Sequence, residues 1–158
     1  MPSISPSSAA SPPGDPLERY ITFFEDMTEA DIARIPDVFA SDARFKDPFS
    51  DLRGHDRLRR LFTAMLRDVR DYRLVVDEVV VNGETGWLKW TMSGHVRALG
   101  AERWVVTGVS IIRFDDEGKV SEHVDYWDAA GQMYERLPVI GWILRRIRGR
   151  FAAHSAAG

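Results

Sequence analysis

The stretch "DYRLVVDEVVVNGETGWLKWTMSGHVRAL", residues 71–99, decides the fold. Two runs rich in β-branched and aromatic residues flank Asn82-Gly83, a dipeptide that favours the tight turn of an antiparallel hairpin. Side chains alternate across a strand. On 86–96, alternation sets Leu88, Trp90 and Met92 on one apolar face and Lys89, Thr91 and His95 on the other. Two more such runs follow, "ERWVVTGVSIIRF" (102–114) and "KVSEHVDYWD" (119–128), with the turn "DDEG" between them. On the first, Trp104, Val106, Gly108, Ser110 and Ile112 share a face. On the second, His123, Asp125 and Trp127 share one face, and Val124, Tyr126 and Asp128 the other. Four strands joined by short turns predict an antiparallel meander.

Upstream, the period changes. Asp15-Pro16 is a helix start, with an N-cap and then proline at the first helical position. "LERYITFFEDM" sets Leu17, Tyr20, Ile21 and Phe24 on one helical stripe. "TEAD" (28–31) resembles a capping box. It predicts a second helix from about Thr28 with Ile32, Ile35, Val38 and Phe39 inward, shortened or kinked by Pro36. "ARFKDPF" (43–49) reads as a short strand ended by Pro48, and "DLRG" (51–54) as a turn. "HDRLRRLFTAMLRDV" (55–69) is an amphipathic helix with Leu58, Leu61, Phe62, Met65, Leu66 and Val69 inward. Three helices before one sheet predict an α+β domain, with helices packed on one face of a curved sheet.

The totals bound the rest. The 158 residues suit one domain of ordinary globular composition. The lack of cysteine excludes disulfides and zinc–thiolate sites and fits a reducing compartment. The net charge of −3 argues against nucleic-acid binding. "MPSISPSSAASPPGDP" has no basic n-region and no apolar run, so residues 1–14 are expected to be a disordered leader and the protein cytoplasmic. The folded domain is expected over 15–136, followed by a basic extension over 137–158. From Arg136 onward there are five arginines and no acid, which leaves the preceding residues at −8. Ile140, Ile143, Leu144, Ile147 and Phe151 form an apolar stripe in this extension, opposite the arginines. Three arrangements suit it: a lid on the domain, a contact with a second subunit, or a helix lying on an anionic membrane. Packing on the acidic body is the expected one, with peripheral membrane contact the lesser alternative.

Four segments in this order carry a resemblance: "ERY" in the first helix, "FKDPF" followed by "RG", "IIRFDDEGKV", and "HVDYWD". Together they resemble the SnoaL-like and ketosteroid-isomerase-like proteins of the NTF2-like superfamily, over roughly residues 16–130. The resemblance implies a cone: a curved antiparallel sheet wraps a pocket that helices close. It also implies a range of activities, from isomerases and polyketide cyclases to epoxide hydrolases and non-enzymes, so fold alone does not fix the chemistry.

Asp47 lies between Phe45 and Phe49, where apolar rings disfavour its charged form and bring it toward the working range of a base. It matches the isomerases' general base; its other reading is a cap for the turn at Pro48 and Ser50. Tyr20 matches their oxyanion tyrosine and also reads as a core residue. Ser110 stands where they carry a neutral aspartic acid. Asp125 matches an acid/base position of the cyclases and epoxide hydrolases, with His123 on the same face able to share its proton; its other reading is a solvated strand residue. Trp90, Trp104, Trp127 and Phe49 would line the pocket. The resemblance thus implies a cofactor-independent isomerase, cyclase or hydratase acting on an apolar carbonyl compound such as a steroid or polyketide. A ligand-binding or dimerisation module of the same fold is the alternative, and a limonene-type epoxide hydrolase the second. No metal or cofactor is expected, since neither an HExxH pattern nor a phosphate loop occurs. A homodimer through the outer sheet face is expected.

Overall fold

A computed structural model of the protein describes residues 14–25 and 27–155. The leader expected over 1–14 lies, apart from Gly14, outside the described residues. Helix α1 (Pro16–Glu25) opens with Asp15 accepting from the Leu17 amide at 2.9 Å. The second helix is broken rather than kinked: α2 (Glu29–Ala33) stops, and α3 (Ile35–Val38) restarts with Pro36 in its first turn. Proline has no N–H to continue the ladder, so the chain restarts where that donor is not needed. Phe39, expected on the helix, instead opens strand β1 (Phe39–Lys46) and is wholly buried.

The turn expected at "DLRG" is displaced. The chain reverses at 47–50, where Asp47 accepts from the amides of Phe49 (2.7 Å) and Ser50 (2.6 Å). That frees Asp51–Arg53 to form β2, paired antiparallel with β1. Arg44 fixes this small hairpin, with two bonds to Asp51 and one to Glu122. Gly54 (φ 88°) then turns the chain into α4 (His55–Asp68), which buries Leu58 and Phe62.

The meander is as expected: β3 (Val69–Asn82), β4 (Thr85–Val96), β5 (Trp104–Phe114) and β6 (Val120–Tyr126) pair antiparallel in sequence. The full order is β2-β1-β6-β5-β4-β3. The β1–β6 pair is parallel, an exception to an otherwise antiparallel sheet. Two register shifts bend β3, one at Asp71–Tyr72 and one at Asp77. Asp71 takes the left-handed conformation (φ 52°) and meets His95 Nδ1 at 3.1 Å; Asp77 accepts from the Thr91 hydroxyl at 2.8 Å. The helices cover the concave face. There Tyr20, Phe23, Phe24, Phe39, Phe45 and Phe62 form the aromatic half of the core. The outer face leaves Val80, Trp87, Val105, Val109 and Tyr126 exposed.

After α5 (Ala129–Gln132) and a 3-10 turn (Tyr134–Arg136), α6 (Pro138–Ser155) completes the described chain. Its expected orientation is reversed. Two of its arginines face the body: Arg148 bonds Glu135 at 2.9 Å and lies 3.9 Å from Asp128, and Arg145 donates to the Glu135 carbonyl. Gly141 is buried so tightly against that carbonyl that a Cβ would fall 2.1 Å from its oxygen. Leu144 is half-buried, whereas Ile140, Ile143 and Ile147 are exposed. Ion pairing has set the rotation of the helix and left its apolar stripe outward. Phe151 lies outside the residues whose side chains are described.

Candidate active site

The concave face encloses a cavity of about 340 Å³. Its walls come from Leu61, Phe62 and Met65 of α4, from Tyr72, Leu74 and Val76 of β3, and from the inward residues of β4, β5 and β6. Alternation puts Trp90, Trp104, Ser110, His123, Asp125 and Trp127 on this face, and all six line the cavity, as do Tyr20, Asp47 and Phe49. At the mouth, Phe49 is half exposed and sets its ring edge-on to Trp127 at 5.4 Å and Tyr134 at 6.0 Å. Gly108 is the one inward β5 position without a side chain. A Cβ there would fall 2.5 Å from the Trp90 ring, so glycine makes the room in which that indole lies.

Five polar side chains join in one chain across this apolar wall. Trp90 Nε1 donates to Ser110 Oγ at 2.8 Å, and Ser110 donates to Asp125 Oδ1 at 2.5 Å. His123 Nε2 meets the same Oδ1 at 2.7 Å, and His123 Nδ1 meets the Tyr20 hydroxyl at 2.9 Å. With Asp125 ionised, every hydrogen in the chain points toward it. His123 then carries its proton on Nε2, and Tyr20 donates to Nδ1; this assignment follows from the network. Burial first, and then the Asp125 charge, hold the Tyr20 phenol well above its ordinary range, so it stays a neutral donor. Among the described residues, Asp125 Oδ2 has no hydrogen-bond partner. His123 is 3% exposed and packed by the rings of Phe45, Phe24 and Tyr20, which fixes its plane.

Asp47 combines both of its expected readings. It caps the hairpin turn, and it also borders the cavity. Burial raises its pKa from the ordinary carboxylate value, the two amide bonds oppose the shift, and the Asp125 charge adds to it. The folded protein therefore binds this proton more tightly than the unfolded chain does. Stability from that proton is fully present below the ordinary carboxylate value and is lost as pH rises through the raised one. Asp47→Asn keeps an oxygen for both amides and removes the titration. Melting temperature followed against pH should fall less steeply for Asp47→Asn than for the wild type as pH rises through that window. Parallel curves would show that the Asp47 carboxyl does not titrate differently on folding.

All nine residues proposed from the sequence line the cavity. Sequence reading misses two features. Tyr20, matched to an oxyanion tyrosine, and Ser110 both direct their hydrogens into the chain. The wall built by Leu61, Met65, Tyr72 and Leu74 goes unassigned, because the stripe of α4 reads as core and no face of β3 is assigned. Among the described residues, no three His, Cys, Asp or Glu side chains are grouped to hold a metal.

The profile of a family described as a SnoaL-like domain matches residues 18–123. No curated protein matches the chain. Among solved structures, a protein from a Jannaschia species provisionally named a SnoaL-like polyketide cyclase superimposes with a TM-score of 0.67 at 15% identity, covering 79% of this chain and 94% of that one. An LEH-like epoxide hydrolase from M. tuberculosis gives 0.61 at 18% identity, covering 90% and 94%. A protein from Agrobacterium tumefaciens, provisionally named an isomerase of the SnoaL-like family, gives 0.59 at 16%, covering 72% and 94%. At these identities the likeness is one of fold.

Proposed function

Because the chain belongs to the SnoaL-like domain family, we propose that it is a cofactor-independent acid/base enzyme of the isomerase, cyclase or hydratase type, acting on an apolar small molecule that bears a carbonyl group. The observation that carries this reading is the His123–Asp125 pair, hydrogen-bonded within an aromatic wall and bordering the same cavity as a second carboxyl group. The Asp125 carboxylate, held through Oδ1 by Ser110 and His123, takes a proton from the carbon next to the carbonyl through Oδ2. Asp47, whose proton burial makes harder to lose, gives that proton to the carbonyl oxygen, and an enol results. Delivery of the proton from Asp125 to a different carbon of the enol system, with the carbonyl regenerated as Asp47 recovers its own, completes an isomerisation. Tyr20 acts through His123, as a positioning residue. A low-polarity surround strengthens each of these contacts relative to water.

The reading is tested by following deuterium exchange at the α-carbon of a tetralone, a decalone and an oxosteroid in heavy water by NMR. Exchange above the buffer rate is expected for each ketone that quenches the cavity tryptophans. Saturable quenching without exchange would overturn catalysis in favour of the binding module. That second reading has one specific support: Asp47 Oδ1 already accepts from two amides as a turn cap. The epoxide-hydrolase reading would need an arginine between two aspartates to hold and activate water, and among the described residues no arginine lines the cavity.

A further inference from the structure

Helix α6 carries a hydrophobic face with no partner among the described residues. Ile140, Ile143 and Ile147 are each close to half exposed, Trp142 is 60% exposed and Val139 73%. An apolar stripe that broad is normally covered. It is not free to roll inward, because Arg145 and Arg148 tie the opposite side of the helix to Glu135 and Asp128. We propose that this face docks the protein on an anionic lipid surface.

Charge argues for lipid over other covers. From Arg136 to the end the chain has five arginines and no acid, while the preceding residues carry −8. An anionic bilayer repels the body and attracts this helix alone, which sets the orientation of the bound protein. A second copy of α6 laid on the first would bring the arginines of both together. Arg146 lies over the Trp142 ring at 5.7 Å, a cation on an amphipathic ring beside the apolar stripe. Such a pair suits the headgroup level, with the ring and the arginine stem below it and the charge at the phosphates. No described helix is long and apolar enough to cross a membrane, so α6 would lie in the interface.

The position of α6 gives the docking a use. It follows Met133, which lines the cavity, and Tyr134, whose ring contacts Phe49 at the mouth. A protein held by α6 has its cavity mouth close to the bilayer, where apolar molecules concentrate. This last step rests on the proposed apolar ligand; the docking itself does not.

The test is co-sedimentation of the full chain with vesicles of equal parts phosphatidylcholine and phosphatidylglycerol, against vesicles of phosphatidylcholine alone. Affinity for the mixed vesicles should be at least about tenfold higher and should fall with added salt. Ile143→Asp should lose at least about tenfold, Ile147→Asp likewise, and Arg146→Gln about fivefold. All three positions are exposed, so melting temperatures should match the wild type. Equal binding to both vesicle types, no binding to either, or wild-type binding by both aspartate variants would overturn the proposal. So would sedimentation equilibrium without lipid showing a dimer that Ile143→Asp dissociates, since the stripe would then be covered by a second copy. None of these outcomes depends on whether the cavity is catalytic.

Discussion

Asp125→Asn is expected to slow α-proton exchange by about 10³-fold, the scale on which a positioned acid or base contributes, while leaving ligand affinity nearly unchanged. The amide matches the carboxyl in shape, and its oxygen can still accept from His123 and Ser110, so the chain from Trp90 to Tyr20 keeps its geometry. What is lost is the ability of the far oxygen to carry a proton. The measurement is exchange rate and tryptophan quenching on one sample of each protein. A variant that binds and exchanges like the wild type would reduce Asp125 to a structural acceptor. Tyr20→Phe separates positioning from chemistry in the same assay: it leaves Asp125 intact and removes only the donor to His123.

Phe62→Ala is expected to cost about 3–5 kcal/mol in stability, the range for deleting a buried aromatic ring, and to lower the melting temperature by on the order of 10 °C. Phe62 is 1% exposed, and its ring meets those of Phe23, Phe24, Phe39 and Phe45 at centroid distances of 5.5 to 6.2 Å. Both the transfer energy of the ring and these edge contacts go. Because Phe62 also lines the cavity, the void opens into existing space rather than closing over. The variant should therefore bind ketones with one more fused ring than the wild type accepts. Urea unfolding checks the first effect and tryptophan quenching the second; a loss below about 1 kcal/mol would mean that the neighbouring rings collapse into the gap.

Much of the site was legible because strands write their faces in a period of two. Once Asn82-Gly83 fixed the hairpin, counting sorted β4, β5 and β6 into two faces each, and the family resemblance chose the face of Ser110, His123 and Asp125 as the inward one. Long-range partners were not legible. Alternation can say that His123 and Asp125 share a face, but not that Tyr20, on a helix at the other end of the chain, supplies a hydrogen bond to His123. The parallel union of β1 with β6 leaves no local mark, since no turn joins them. "DLRG" was misread because its Gly and Asp resemble a turn, when the actual reversal is closed four residues earlier by the Asp47 side chain. In α6 the stripe was seen and its direction was not: which side faces inward is decided by Glu135 and Asp128.

The parallel seam between β1 and β6 has a consequence for how the protein is made. Arg44 on one side of that seam and Glu122 on the other are 78 positions apart, and Tyr20 and His123 are 103 apart. Contacts of that span close late and slowly, because the entropy of a large loop is lost before they form. A nascent chain emerging from the ribosome can zip the β3–β4 hairpin early, yet its cavity has no far wall until residue 126 is clear of the exit tunnel. Until then Phe23, Phe39 and Phe62 remain partly wet, and this growing intermediate is the species a chaperone would meet.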